Sequence, residues 1–273
     1  MTRPSFSDYG TYDESAYPEL WEGVVGAWCP SLGPTGDRLH NLSRYNNWGT
    51  LTNMDPATDW VVSGGQYALD FDGVNDYVRV PANMPQWRAV SAWVSLNTTG
   101  ATQCVAESYA AGTLNKGLLF YANASGKAAF DGRDSGGTYR SSGASATTVV
   151  GVGWVHLFGQ FSDRLEIWVN GVRESQTATA LSGFSTTIDF NLGGLDSVGE
   201  GVPTTAWTSG LTDDVVIYNR ALTPNKIWQL YLLGRGGMFG RRRRTARRAA
   251  IEQAAAFKAY WARRQNQIIG GGV

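Results

Sequence analysis

From Trp21 to Leu232 the chain is a succession of short apolar runs, most of them alternating with polar residues and broken by glycine, asparagine, proline and serine. That rhythm predicts strands, because successive side chains of a strand point to opposite faces. The first run, Val24, Val25, Ala27 and Trp28, gives way to Pro30, Gly33, Pro34 and Gly36, a strand followed by a loop. Further strands are expected at Tyr67–Phe71, Tyr77–Val80, Val90–Leu96, Gly117–Ala122, Thr147–Gly151, Trp154–Phe161, Arg164–Val169, Ile188–Leu192 and Asp214–Tyr218. In Leu165–Val169 the alternation puts Leu165, Ile167 and Val169 on one face and Glu166 and Trp168 on the other, as a strand with one buried face requires. Asn170-Gly171 follows at once, the dipeptide favoured by a type I′ hairpin turn because both central residues take positive φ. The glycine and serine clusters near 134–146 and 197–210 read as loops at a rim, and without an exact short repeat one domain suffices.

Composition agrees: glycine is 34 of 273 residues, with 11 Trp and 12 Tyr, as many short strands joined by glycine turns require. The formal charge of zero hides a division. From Arg235 onward there are ten Lys and Arg against the single acid Glu252; before it there are thirteen against 22, so a body of net −9 precedes a segment of net +9. Such polarity expects an anionic surface or partner for the end of the chain. Residues 1–20, punctuated by Pro4 and Pro18, read as an extended N-terminal arm, with plain disorder as the alternative, and residues 233–273 as a basic Arg-rich tail. Met1–Gly10 has no apolar core for a secretory signal peptide, and no stretch approaches the roughly 20 apolar residues of a membrane span, so neither classical secretion nor spanning is supported. Cys29 and Cys104 are expected to be two buried thiols rather than a bridge.

Five ordered segments carry a family pattern. Ala68–Val78, read as ALDFDGVNDYV, closely resembles the L-x-F-D-G-x-x-D-Y-V strand-turn-strand of laminin-G-like jelly rolls. Ser91–Val94 resembles their S-x-W-V strand, Gly153–Leu157 their W-x-H-V strand and Leu165–Val172 their L-x-L-Y-V-N-G hairpin. Gly210–Thr223 resembles their closing G-x-I-D-D-V-R-I-Y-N-R-A-L-S strand and turn. The resemblance to the laminin-G-like, concanavalin A-like family covers about residues 21–232 and implies an all-β fold, an antiparallel β-sandwich jelly roll. The residues agree independently: Leu69 and Phe71 should face the core and Asp70 and Asp72 the solvent, and Thr223 and Pro224 suit the N-cap and first position of a helical turn reaching Leu230. Trp28–Gly36 and Leu51–Trp60, with Gly234-Arg235-Gly236-Gly237 and Arg241–Arg244, further resemble laminin-G-like proteins of tailed bacteriophages and environmental viruses.

Glycoside hydrolases on such a fold set carboxylates at alternate positions of one strand, where one protonates the leaving oxygen and its neighbour attacks or activates water. No Glu-x-Asp-x-Glu occurs; Asp70-Phe71-Asp72 belongs to the turn motif and Asp163–Glu166 to a solvated hairpin end. His40 and His156 are unsupported as a pair, His156 fitting its strand as a structural residue, so no catalytic residue is expected. The resemblance implies one structural calcium ion, with Asp72, Asp213 and Asp214 as candidate ligands because a hard cation takes carboxylate and backbone oxygens. The alternative is that Asp213 and Asp214 only cap and solvate the last strand. Surface glycans would need exposed aromatic faces, for which Trp60, Trp87, Trp168 and Trp207 are the candidates, against the alternative that each is a packing residue.

The tail has a helical period near 245–267, with Ala246, Ala249, Ala250 and Ala254–Ala256 as helix formers and Ile251, Ala254, Phe257 and Trp261 on one stripe. Arg241, Arg242, Arg243, Arg244, Arg247 and Arg248, with Phe257, Tyr260, Trp261, Ile268 and Ile269, form a candidate assembly anchor. Docking into a protein assembly, contact of the arginine run with packaged nucleic acid and adsorption to an anionic membrane compete, with a disordered solubilising tail behind them. Arginine mixed with apolar anchors favours the first. The expected function is a non-enzymatic virion structural protein, assembled in the host cytoplasm as a homo-oligomer that displays its jelly roll as capsid decoration, fibre or host-surface adhesion element. The rival is a free carbohydrate-binding lectin module, and behind it a divergent glycoside hydrolase.

Overall fold

The computed structural model describes residues 17–239, apart from 82–84, 99, 111–115, 135, 179, 182, 185–188 and 197–201. Residues 1–16 of the expected arm, the expected helix at 245–267 and every anchor residue from Arg241 to Ile269 lie outside the described residues.

Among the described residues sixteen strands follow one another: β1 (Val24–Trp28), β2 (Arg38–Leu39), β3 (Gly49–Thr52), β4 (Trp60–Ser63), β5 (Gln66–Asp72), β6 (Tyr77–Val80), β7 (Ala89–Leu96), β8 (Gln103–Ala110), β9 (Lys116–Ala122), β10 (Ala128–Arg133), β11 (Tyr139–Ser141), β12 (Val155–Phe161), β13 (Leu165–Val169), β14 (Val172–Gln176), β15 (Phe190–Leu192) and β16 (Ser209–Tyr218). Two helices flank them, α1 (Pro18–Trp21) and α2 (Pro224–Leu233). Sheet A runs β14-β13-β12-β7-β16-β5-β4 with β1 added on β16, and sheet B runs β11-β10-β9-β8-β15-β6-β3-β2. The named strands pair antiparallel throughout, so the expected two-sheet sandwich is the observed one.

The inner faces meet in one apolar layer. Leu69 and Phe71 point into it as their alternation requires, beside Val78, Val94, Phe120, Phe130, Leu165 and Ile217. Phe190 lies parallel to Trp28 at 5.1 Å and meets Trp87 edge-on at 5.8 Å, so the largest side chains interlock at the centre. Asn170 and Gly171 take φ of 50° and 78°, the turn that the dipeptide predicts. Glycine is needed there twice over, since an added Cβ would come within 2.6 Å of the Trp228 ring of α2.

Some expectations are corrected. Thr147–Gly151 makes only isolated bridges at Thr148 and Val150. Glu166 and Trp168 are not on a solvated face: a second apolar cluster covers the outside of sheet A. Phe158, Trp168, Val216 and Tyr218 from the sheet meet Leu20 and Trp21 of α1, Ile227 and Leu230 of α2, and Met238 and Phe239 beyond it. Trp21 meets Phe239 edge-on at 5.6 Å. Residues 17–20 and 233–239, read from sequence as parts of the arm and the tail, are therefore packed against the body. Thr223 precedes α2 without a side-chain cap; its carbonyl accepts from the N–H groups of Lys226 and Ile227.

Candidate functional site

Asp213 stands on the outer face of sheet A opposite Trp93, at a bulge in β16 where Asp214 takes φ 48°. The bulge turns both carboxylates toward Cys29, and the ligand atoms of the three residues lie within 4.8 Å of one another, all buried. Every carboxylate oxygen already accepts a donor. Asp213 Oδ1 takes the N–H groups of Ser31 (2.9 Å) and Asp214 (2.8 Å), and its Oδ2 takes Arg235 Nε at 3.0 Å. Asp214 Oδ1 takes the Cys29 thiol (2.9 Å) and the Ser31 hydroxyl (3.1 Å), and its Oδ2 the N–H of Gly236. Burial, then the charge of Asp214, pushes Asp213 well above the usual carboxylate range, with Arg235 opposing; burial likewise raises Asp214 and Cys29.

The guanidinium that answers these charges is fixed on all sides. Arg235 Nη1 donates to the Ser63 carbonyl (2.8 Å), Nη2 to the Tyr67 carbonyl (3.0 Å), and its Cζ lies 3.6 Å from the Trp154 ring centroid. Asp72 is elsewhere: opposite Ser209, exposed, with Oδ1 accepting from Val74 and Asn75. Asp72, Asp213 and Asp214 therefore do not fit the expected calcium set. Two are saturated by donors beside a soft thiol, the third is not with them, and a side-chain cation sits where a metal ion would serve.

Three of the four candidate sugar-stacking rings are structural. Trp60, Trp87 and Trp168 expose 6%, 1% and 6% of their surface, and their ring N–H groups donate to the Gly36 carbonyl, the Ser108 hydroxyl and Glu166. No ring face is left for a pyranose. Trp207 is half-buried against Tyr77 at 6.3 Å. His156 is buried, in contact with the Ser91 hydroxyl at 2.9 Å, and burial pushes it down to about 3, a neutral structural histidine as its strand predicts. Cys29 and Cys104 are buried free thiols.

The outer face of sheet B is different in kind. Cross-strand pairing aligns Tyr109 on β8, Gly117 on β9, Arg133 on β10 and Tyr139 on β11 in one row, and Glu107, Leu119, Asp131 and Ser141 in the next. Tyr121 stands beside them, where Leu195 and Ala206 of the loop after β15 fold over Cys104, Tyr109 and Leu119. Asp131 is fully buried and accepts four donors: Tyr121 Oη at 2.6 Å and Tyr139 Oη on Oδ2, the Ser141 hydroxyl at 2.6 Å and the Ser142 N–H on Oδ1. Burial, with the Asp131 charge, pushes both phenols up, so they hold their protons and their rings are fixed in place. Tyr139 keeps 46% of its surface open. Glu107 is pushed up to about 8 by burial, although Asn191 Nδ2 (2.6 Å) and the N–H groups of Tyr109 and Asp196 donate to it.

A family model described as the concanavalin A-like lectin/glucanases superfamily matches residues 72–228. The chain belongs to that superfamily. Among solved structures, the binding domain of botulinum neurotoxin serotype D is similar with TM-score 0.56 and 12% identity, over 78% of this chain and 52% of that one. The ligand-binding domain of the same serotype in complex with N-acetylneuraminic acid matches with TM-score 0.53 and 12% identity, over 78% and 52%. Domain 4 of AbnA, a GH43 extracellular arabinanase from Geobacillus stearothermophilus, in complex with arabinotriose, matches with TM-score 0.53 and 18% identity, over 76% and 98%. The chain spans about half the length of the toxin domains, and at these identities the likeness is one of fold. No curated protein sequence matches. These neighbours are toxin and carbohydrate-binding domains, and the likeness to bacteriophage proteins is not carried by them. No described helix is long and apolar enough to cross a membrane.

In this concanavalin A-like chain the sequence reading missed Glu107, Asp131, Arg133 and Tyr139, because β8, β10 and β11 were not expected as strands. Asp131-Gly132 reads locally as a turn, yet both residues lie in β10, where an added Cβ on Gly132 would come within 2.8 Å of Phe184. A signal was present in the expected strand Gly117–Ala122: with Leu118, Phe120 and Ala122 inward, parity alone puts Tyr121 outside.

Proposed function

We propose that the protein is a non-enzymatic glycan-binding module that uses the outer face of sheet B. The carrying observation is the pair Tyr121 and Tyr139, whose hydroxyls are tied to one buried carboxylate so that their rings stand fixed, one of them open to solvent. Fixed aromatic faces suit the apolar face of a pyranose, which loses little entropy on stacking. Family membership supports the reading, as do the arabinotriose and N-acetylneuraminic acid held by two structural neighbours. Asp131 has donors on both oxygens, and Glu107 is buried with both oxygens accepting from Asn191 and the N–H groups of Tyr109 and Asp196, so neither offers a free carboxyl to a substrate, which favours binding over acid-base chemistry. A glycan array probed with the full chain tests this: binding to a defined set of sugars, lost by about tenfold or more in Tyr139→Ala, is expected, and a blank array would sink it.

A second reading, display of this face from a larger assembly, is favoured by the placement of the described ends. Tyr17 and Phe239 both pack on the outside of sheet A, away from the tyrosines, and the sequence beyond Phe239 is strongly basic. Co-sedimentation of the full chain with an acidic protein scaffold, abolished by removal of residues 240–273, is its expected signature.

A further inference from the structure

We propose that the sugar recognised on the outer face of sheet B carries a carboxylate, and that Arg133 selects it; this rests on the glycan reading above and adds the ligand's charge. The row Tyr109, Gly117, Arg133, Tyr139 contains one position without a side chain. Gly117 has φ 112°, and an added Cβ would come within 1.8 Å of the Ser108 carbonyl oxygen, so no other residue fits there. Across that gap the guanidinium reaches the Tyr109 ring, with Cζ 5.9 Å from its centroid. Nε donates to Tyr109 Oη at 3.1 Å and Nη1 to the Gly137 carbonyl at 3.0 Å, both neutral acceptors. Nη2 has no partner among the described residues.

Six other arginines pair with acids, Arg79 with Asp189, Arg140 with Asp134, Arg164 with Asp163, Arg173 with Glu166, Arg220 with Glu22 and Arg235 with Asp213, whereas Arg38, Arg44 and Arg88 make no ion pair among the described residues. Arg133 is in none of these pairs, although it is half-buried. The nearby acids are committed, Asp131 to four donors and Asp134 to Arg140, while Glu107 is held in its own buried network. A half-buried cation with an open nitrogen, beside an exposed ring, matches a pyranose bearing a planar carboxylate, which a guanidinium binds by directed, charge-assisted hydrogen bonds.

The test is calorimetric titration of the full chain with two probe pairs that differ in charge: tri-galacturonic acid against its methyl ester, and sialyllactose against its methyl ester. In at least one pair the acid should bind about tenfold more tightly than its neutral partner. That preference should shrink to less than about threefold in Arg133→Gln and return in part in Arg133→Lys, with the melting temperature of both variants near that of the wild type. Equal binding of acid and neutral partner, abolished for both by Tyr139→Ala, leaves the glycan reading standing and overturns the charge selection. A sulfated galactan bound through Arg133 as tightly as the acids overturns the carboxylate in favour of any anion. A wild type that binds none of these probes and leaves a broad glycan array blank overturns both readings.

Discussion

The two outer faces of the sandwich bury acidic side chains in opposite ways. On sheet A, Asp213 is paired with Arg235, whose side chain is 8% exposed and stacked on Trp154, Asp214 accepts from Cys29, Ser31 and the N–H of Gly236, and the surrounding surface is closed by α2 and by Met238 and Phe239. On sheet B, Glu107 and Asp131 have no cation within ion-pairing distance among the described residues; amide, backbone and hydroxyl donors satisfy them. The first arrangement uses a cation to fasten the chain to itself. The second satisfies its acids with neutral donors, and Arg133 on the same face donates to neutral acceptors and has no acid partner among the described residues. Arg79 on β6 of the same sheet is neutralised by Asp189, so the difference lies in the stretch from β8 to β11, where a cation without an acid partner among the described residues suits the surface to bind.

The sharpest break of this comparison is Arg235→Ala. It leaves the buried Asp213 with no counter-charge, and removing one partner of a buried pair costs about 3–5 kcal/mol. Urea denaturation should show that loss, and Asp213→Asn with Arg235→Met together should lose less, because the orphaned charge is then removed. A loss below about 1 kcal/mol for Arg235→Ala would reduce the lock to a surface pair. Next comes Phe239→Ala, which empties a buried ring site against Trp21. A loss of about 3 kcal/mol is expected. A neutral result would mean that residues 234–239 rest on sheet A without sealing it.

These two residues also show where the sequence was opaque. The sandwich was legible because alternation in Leu69–Phe71 and Leu165–Val169, the Asn170-Gly171 turn and the closing strand are local signals. Arg235 was not, since its partners come from three separate stretches of chain, Ser63 and Tyr67 in the β4–β5 hairpin, Trp154 before β12 and Asp213 in β16, and Gly-Arg-Gly-Gly looks locally like a linker. The tryptophans misled for a related reason: large aromatic rings are enriched both in cores and at binding faces, and only register says which. On sheet B the decisive row depends on pairing across β8 to β11, and two of those strands carry polar residues and an Asp-Gly that mimic loop.

The burial of Glu107 on sheet B can also be read from the dependence of stability on pH. Glu107 keeps its proton up to about 8 in the folded chain against an ordinary 4.5, because burial outweighs the donors around it; Asp196 across from it adds like charge, and Cys104, Tyr109 and Asn191 complete its surroundings. With a raised folded pKa, the folded state binds the extra proton between those values. Stability from this group is full below about 4.5 and falls as pH rises toward about 8, by at most roughly 1.4 kcal/mol per pH unit. Glu107→Gln, which cannot titrate, should flatten that part of the denaturation profile between pH 5 and about 8 relative to wild type. An unchanged slope would mean that the carboxylate is solvated and the face more open than its burial indicates.

The smallest expected change is the most diagnostic for the binding face. Tyr139→Phe removes one of the four donors to Asp131 and keeps the exposed ring. Asp131 Oδ2 still accepts from Tyr121 at 2.6 Å, so the cost should be about 0.5–1 kcal/mol, the net worth of one hydrogen bond. If stacking carries recognition, Tyr139→Phe should retain glycan affinity within about threefold, while Tyr139→Ala loses most of it at a similar cost in stability. Equal loss of affinity in both variants would shift recognition from the ring to the hydroxyl. A stability loss comparable to that of Phe239→Ala would make the tyrosine a packing residue, and the two faces of the sandwich would then differ in polarity but not in role.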